Sequence, residues 1–333
     1  MNSSILVIIN PASACSRRAW PEIKNRLTEN RILFDAYETT HAGDASEKTR
    51  DALRAGFEII AVVGGDGTLS EAASGFFEFQ ADDNPAAFHL PSAINNRAAL
   101  AILPAGTGDD FARGLNGKRA PLENWLETLI NHCRNDNPDS TRAIDVIQGR
   151  AGGGEQDFIC LNVATIGLGA EVAARVASQR AMMKRLPGEA RFVSAAFGAL
   201  AAWRERQVRI RVDDGEAVET STNLLAVANS TYAGGGMLFA PDALVDDGLI
   251  DLMLTHGLKR STILRELPRI RRGEHLNNPR VQIIHAKHVR VETIEPQETL
   301  LVEADGNVRG HTPAEFRIMP KAIKIIMGKW GNG

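Results

Sequence analysis

Aromatic side chains are scarce in this sequence, at 5% of 333 residues, and they nowhere cluster. That removes the stacking platform on which single-stranded nucleic acid is held. Positive charge is not in excess either. The formal net charge is −3, so no global basic field favours nucleic acid. Cysteine is limited to Cys15, Cys133 and Cys160, far apart and with no CxxC or Cys/His pair at zinc spacing. The three read as reduced thiols of a cytosolic protein. Long hydrophobic runs are missing. The apolar run Ile5–Ile9 is too short for a signal-peptide core, and nothing approaches the roughly 20 apolar residues of a membrane span. Any membrane-held ligand would therefore be reached from the aqueous side. No GxxxxGK[ST], GxSxG, HExxH or EF-hand pattern occurs, and the eight histidines are scattered.

What is present is an ordinary globular composition, 44% hydrophobic and 24% charged, in a chain long enough for two domains. The first part alternates. Short apolar runs at Ile5–Ile9, Phe57–Val63 and Ala99–Leu103 read as strands, and Phe34–Thr39 is a further candidate strand. Helical stretches at Trp20–Arg31, Ala45–Ala55 and Leu69–Phe79 separate them. That grammar predicts a mostly parallel sheet covered by helices over residues 1–140. After Asp139 the pattern changes to many short strands, with Glu171–Arg206 as a helical stretch interrupted near Pro187-Gly188. Residues 141–320 thus read as a second, mainly β domain, and 321–333 as a last strand able to pack back on the first domain.

Four motifs carry chemistry. Val63-Gly64-Gly65-Asp66-Gly67-Thr68 follows a strand and opens a helix. Its glycines let a phosphate approach backbone N–H groups, the helix start favours an anion, and Thr68 offers a hydroxyl. Asp66 is the odd member. It holds a cation, takes a proton, or simply caps the helix. Pro104-Ala105-Gly106-Thr107-Gly108-Asp109-Asp110-Phe111 repeats the strand–turn–helix plan. Two such turns at successive strand ends would face one crevice, where open parallel sheets bind ligands. One of Asp109 and Asp110 suffices as a cap, which leaves the other for a metal or a ribose. Gly234-Gly235-Gly236-Met237 with Asp246-Asp247-Gly248 forms the third motif, and Glu303-Ala304-Asp305-Gly306-Asn307 the fourth. Both are also ordinary turn sequences.

In order and spacing this set resembles the diacylglycerol kinase catalytic domain family, and within it the bacterial YegS and BmrU type lipid kinases. The resemblance covers nearly the whole chain. It includes Asn10-Pro11, Thr40 with Gly43-Asp44-Ala45, both Gly-rich turns, Gly234–Met237, Asp247-Gly248, Arg272-Gly273-Glu274-His275 and Asp305-Gly306. It implies an α/β nucleotide domain of the NAD kinase/diacylglycerol kinase kind followed by a β-sandwich domain for the lipid. It also implies ATP and Mg2+ as cofactors and transfer of the γ-phosphate to a lipid hydroxyl. By position, Asn10, Thr40, Gly64, Gly65, Gly67, Thr68, Gly106 and Thr107 would contact nucleotide. Asp66, Asp110 and Asp247 would serve a magnesium ion, partly through water. Two departures stand out: Asp109 where the family usually has Asn, and Asn307 where it usually has Glu. Asn307 cannot accept a proton, so Asp66 is the first candidate base and Asp305 the second. Within Val172–Trp203, Met183 and Phe192 line either an acyl-chain cleft or an ordinary core. The basic side chains Arg180, Lys184, Arg185 and Arg191 face anionic headgroups or only water. The expected protein is cytoplasmic and peripheral to the membrane, binds a lipid and no nucleic acid. Rival readings are a kinase of a soluble polyol or NAD and, from another class, a non-catalytic nucleotide-sensing regulator.

Overall fold

The computed structural model describes residues 5–79, 88–135, 140–154, 157–179, 188–295 and 297–328. Met183 lies outside them. Phe192 lies within a described helix, but its side chain is outside the description. The chain forms two compact units, one of residues 1–145 with 319–333, the other of residues 146–318.

The first unit begins with β1 (Ile5–Ile9), α1 (Ala14–Glu29), β2 (Phe34–Glu38), α2 (Asp44–Arg54), β3 (Ile59–Gly64) and α3 (Asp66–Ser74). A short ribbon, β4 (Phe77–Glu78) with β5 (Ser92–Ala93), precedes β6 (Ala99–Pro104), α4 (Asp110–Asn116) and α5 (Leu122–Asn135). β1 pairs in parallel with β2 and β3, and β3 pairs in parallel with β6. Every residue of β1 and β3 is buried, as helices on both faces of a parallel sheet require. The final strand completes this sheet, with Lys324, Ile325 and Ile326 registered in parallel against Ala99, Leu100 and Ala101. The Asp145 carboxylate accepts from the Lys321 N–H at 2.7 Å and so ties this strand down.

The second unit takes over within β7 (Thr141–Gly152). It continues through β8 (Phe158–Cys160), β9 (Val163–Gly167), α6 (Leu168–Ala177), α7 (Gly188–Ala202), β10 (Arg206–Val212), β11 (Val218–Thr222) and β12 (Leu224–Ala228). Next come the hairpin β13 (Tyr232–Ala233) and β14 (Met237–Leu238), then β15 (Ile250–Thr255), α8 (Arg260–Ile270) and β16 (Val281–Ala286). β17 (His288–Thr293), β18 (Leu301–Ala304) and β19 (Asn307–Ile326) close it. Its strands are antiparallel in the order β16-β15-β12-β9-β18-β19, and β19 pairs further with β17, which pairs with β10. The two stretches of β19 thus serve two faces, which bury Ile166, Leu225, Leu252, Val289, Val291 and Phe316 in one core. Trp203 closes that core beside α7, its indole N–H donating to Asn223 Oδ1 at 2.9 Å. Among the described residues, no helix is long and apolar enough to cross a membrane.

Candidate functional site

In the first unit the two Gly-rich turns leave the C-terminal ends of β3 and β6, which are neighbours in register from Ile59↔Ala99 to Gly64↔Pro104. They touch. A Cβ on Gly106 would lie 2.5 Å from the Gly65 Cα, so only bare backbone fits there. Asn10 Nδ2 donates to Thr68 Oγ1 at 2.9 Å. Because that bond uses the hydroxyl as acceptor, the Thr68 proton stays available for another partner. Thr107 stands exposed between Gly106 and Gly108.

Asp66 is placed by its neighbours. Its Oδ2 accepts from the Asp110 N–H and its Oδ1 from the Phe111 N–H, both at 3.0 Å. It therefore caps α4 from another element and satisfies two donors that a helix start leaves open. Asp110 is buried, with Arg113 Nη1 3.5 Å from its Oδ1. A Cβ on Gly108 would lie 3.3 Å from Asp66 Oδ2 and 3.4 Å from Asp110 Oδ2, so both carboxylates converge on that glycine.

Asp109 is buried in a left-handed conformation, φ 50° and ψ 44°. Its Oδ1 accepts from the Gly106 N–H and its Oδ2 from Arg119 Nη2, each at 2.8 Å. The same Arg119 nitrogen donates to the Gly106 carbonyl at 3.1 Å. The charge that this position gains by being Asp is thus matched by a guanidinium. Burial raises the Asp109 pKa, the Gly106 N–H opposes it, the Asp66 charge adds to it, and Arg119 opposes it; the net is upward. No local pattern around Arg119 signals this role in the sequence.

Thr40 stands at the end of β2, where its N–H and hydroxyl donate to Asp44 Oδ2 at 2.6 and 2.9 Å. The Tyr37 hydroxyl reaches the same carboxylate at 2.9 Å. Burial works to raise the Asp44 pKa, but these donors together bring it below the usual value. His41, Asp44 and Glu47 lie within 4.8 Å of one another. A magnesium ion prefers oxygen alone, which makes this mixed set a poor match for one.

The remaining sequence-selected residues belong to the second unit. Gly234, Gly235 and Gly236 take φ of 63°, 82° and 100° in the β13–β14 turn. Asp247 is exposed and accepts from the Leu249 N–H at 3.0 Å. Burial pushes the nearby Asp251 up to about 6, His285 opposes this, and the charges of Asp247 and Asp242 add to it. Asp305 and Gly306 form the β18–β19 turn. The buried Asp305 carboxylate accepts from the N–H groups of Leu161, Asn162 and Val163 at 2.8, 3.0 and 3.3 Å, and from the Cys160 thiol at 3.4 Å. Burial first, then the Asp305 and Glu303 charges, drive the Cys160 thiol well above its usual pKa. Glu303, two residues before Asp305, accepts from the Thr165 hydroxyl and the Gly306 N–H at 3.0 and 2.8 Å. Burial pushes Glu303 up to about 7, against the Thr165 bond and with the Asp305 charge. Asn307 is half-buried and opens β19.

A Gly-rich cradle at adjoining parallel strand ends, with carboxylates converging beside it, is an arrangement able to take a phosphate and a cation. Residues 4–142 match the family described as "Diacylglycerol kinase catalytic domain", and residues 163–327 match the "YegS C-terminal NAD kinase beta sandwich-like domain". A probable YegS-like lipid kinase of Chromohalobacter salexigens is 30% identical over 289 residues, 86% of this chain and 81% of that protein. A diacylglycerol kinase of Bacillus subtilis is 27% identical over 325 residues, covering 97% and 96% of the two chains. A crystal structure of a putative diacylglycerol kinase from Bacillus anthracis superposes with TM-score 0.69 at 21% identity, over 98% and 97% of the chains, and so shares the fold. The chain belongs to the diacylglycerol kinase catalytic domain family, among its YegS-like lipid kinases. It is accordingly a lipid kinase, an enzyme that phosphorylates an alcohol group.

Proposed function

We propose that this enzyme transfers the γ-phosphate of ATP, in the presence of Mg2+, to the hydroxyl of a diacylglycerol-like lipid at the cytoplasmic membrane surface. The observation that supports this best is the contact of Gly65 with Gly106, which leaves backbone N–H groups and no side chain where phosphates would lie. Thr68, oriented by Asn10, donates its hydroxyl proton to a phosphate oxygen. Thr107 supplies a further hydroxyl, Thr40 gives its own proton to Asp44 and can meet nucleotide only as an acceptor, and Gly64 and Gly67 keep the first turn free of side chains. The oxygen-only pair Asp66 and Asp110, converging at Gly108, suits a hard divalent cation. Bound Mg2+ would neutralise phosphate charge.

The hydrogen bonds favour Asp66 over Asp305 as proton acceptor. A carboxylate offers about four lone-pair sites. Two of those on Asp66 are taken by backbone N–H groups, which aim it and leave the others open to a lipid hydroxyl. Asp305 meets four donors and acts as an anchor for residues 160–163. The test is transfer of labelled γ-phosphate to diacylglycerol, monoacylglycerol, sphingoid bases, phosphatidylglycerol, a soluble polyol and NAD. Label appearing in diacylglycerol or a related lipid is expected. Label confined to the polyol or NAD would overturn the reading.

A further inference from the structure

A cavity of about 400 Å³ opens in the second unit and shares no residue with the site described above. The first turn of α8 gives it Lys259 and Thr262, the rest of α8 gives Arg265, Glu266 and Arg269, and the loop before β16 gives Asn278 and Arg280. Four of these side chains are cationic and one is acidic. That one is already committed, because Glu266 Oε1 accepts from Arg269 Nη1 and from Asn278 Nδ2, both at 3.1 Å. Arg280 donates to the Gly257 carbonyl, which leaves its charge unmatched. Lys259 and Arg265 have no ion pair among the described residues. Three positive charges therefore surround one cavity in a chain whose net charge is −3. Like charges held together in this way repel each other until an anion enters.

The lining selects the kind of anion. It has no aromatic side chain, so a nucleotide base finds no face to stack on. Planar guanidinium groups match the paired oxygens of a phosphate, and the Thr262 hydroxyl and Asn278 amide suit the oxygens of an attached polyol. The volume accommodates a small headgroup and excludes a macromolecule. We propose that this cavity binds a phosphate ester of a small polyol, a chemistry shared by an anionic phospholipid headgroup and its water-soluble counterpart. In the first case it holds the enzyme on an anionic surface. In the second it senses a soluble metabolite.

Binding is read without turnover, so its failure and a failure of the transfer reaction are independent. The full chain, saturated with a non-hydrolysable ATP analogue to fill the Gly-rich cradle, is titrated with glycerol 3-phosphate. It is also titrated with phosphatidylcholine vesicles that contain or lack phosphatidylglycerol. The Lys259→Glu/Arg265→Glu protein is compared with a control of equal charge change, Lys24→Glu/Arg211→Glu. Lys259→Gln/Arg265→Gln serves if the reversal destabilises the fold. The cavity variants should bind at least tenfold more weakly than wild type and control. A loss confined to phosphatidylglycerol vesicles identifies the headgroup, and a loss with glycerol 3-phosphate identifies the soluble ester. Equal weakening in the control, or no binding of either ligand by wild type, overturns the proposal.

Discussion

Asp109 and Arg119 show how one changed residue alters its surroundings. A buried carboxylate beside Asp66 should oppose an incoming triphosphate, yet here Arg119 matches it and grips the Gly106 carbonyl as well. Removing one member of such a pair leaves the other charge uncompensated, whereas removing both is far milder. Arg119→Ala should raise the KM for nucleotide roughly tenfold while kcat falls less. Asp109→Asn/Arg119→Ala should return most of the loss. Steady-state kinetics on the two variants checks this, and no recovery in the double variant would remove the charge argument. Asp305 calls for a different experiment. Because it anchors three consecutive N–H groups, Asp305→Asn should lower the melting temperature. A protein of unchanged stability with abolished turnover would instead make it the proton acceptor.

Among elements, the two turns differ in what fixes them. The cradle is set by backbone approach, so Gly106→Ala forces a Cβ against Gly65 and should cost about 1–3 kcal/mol together with nucleotide affinity. Thermal unfolding and nucleotide titration of the variant test both. The β18–β19 turn is set by buried carboxylates. Glu303 ionises at about 7 in the folded chain and near 4.5 when unfolded. Between those values the folded state holds the extra proton. Stability therefore falls as pH rises from about 4.5 to 7, and the full penalty remains above 7. Glu303→Gln keeps an oxygen to accept from the Gly306 N–H, and its amide nitrogen meets Thr165 with the bond reversed, the hydroxyl now accepting, without the charge. It should be more stable than wild type at pH 8, with the difference shrinking towards pH 5, in melting curves over that range. β1 was legible from its apolar β-branched run, β3 and β6 from apolar runs ahead of Gly-rich turns, and α1 from the spacing of Trp20, Ile23 and Leu27. α5 and α8 were not read. α8 carries Pro268 and many arginines, and it buries only Ile263, Glu266 and Ile270, so its apolar stripe is thin.

Across the molecule, the order of the motifs was legible because each lies at a strand end marked by Gly, Pro or Asp. The contacts that give those motifs their jobs were not. Asp66 bonds to residues 44 and 45 positions away, and Asp305 to residues more than 140 away, separations that no local pattern encodes. Arg119 and the α8 cavity were missed for the same reason. The family, in turn, decides the class of acceptor, which the cradle alone does not. We propose that the cradle of the first unit performs phosphoryl transfer with Asp66 as its acting carboxylate. Asp66→Asn, with nucleotide binding and lipid phosphorylation measured separately, tests it most directly. Nucleotide affinity near wild type with turnover reduced roughly 10²–10⁴-fold is expected. Turnover close to wild type with nucleotide still bound would contradict it.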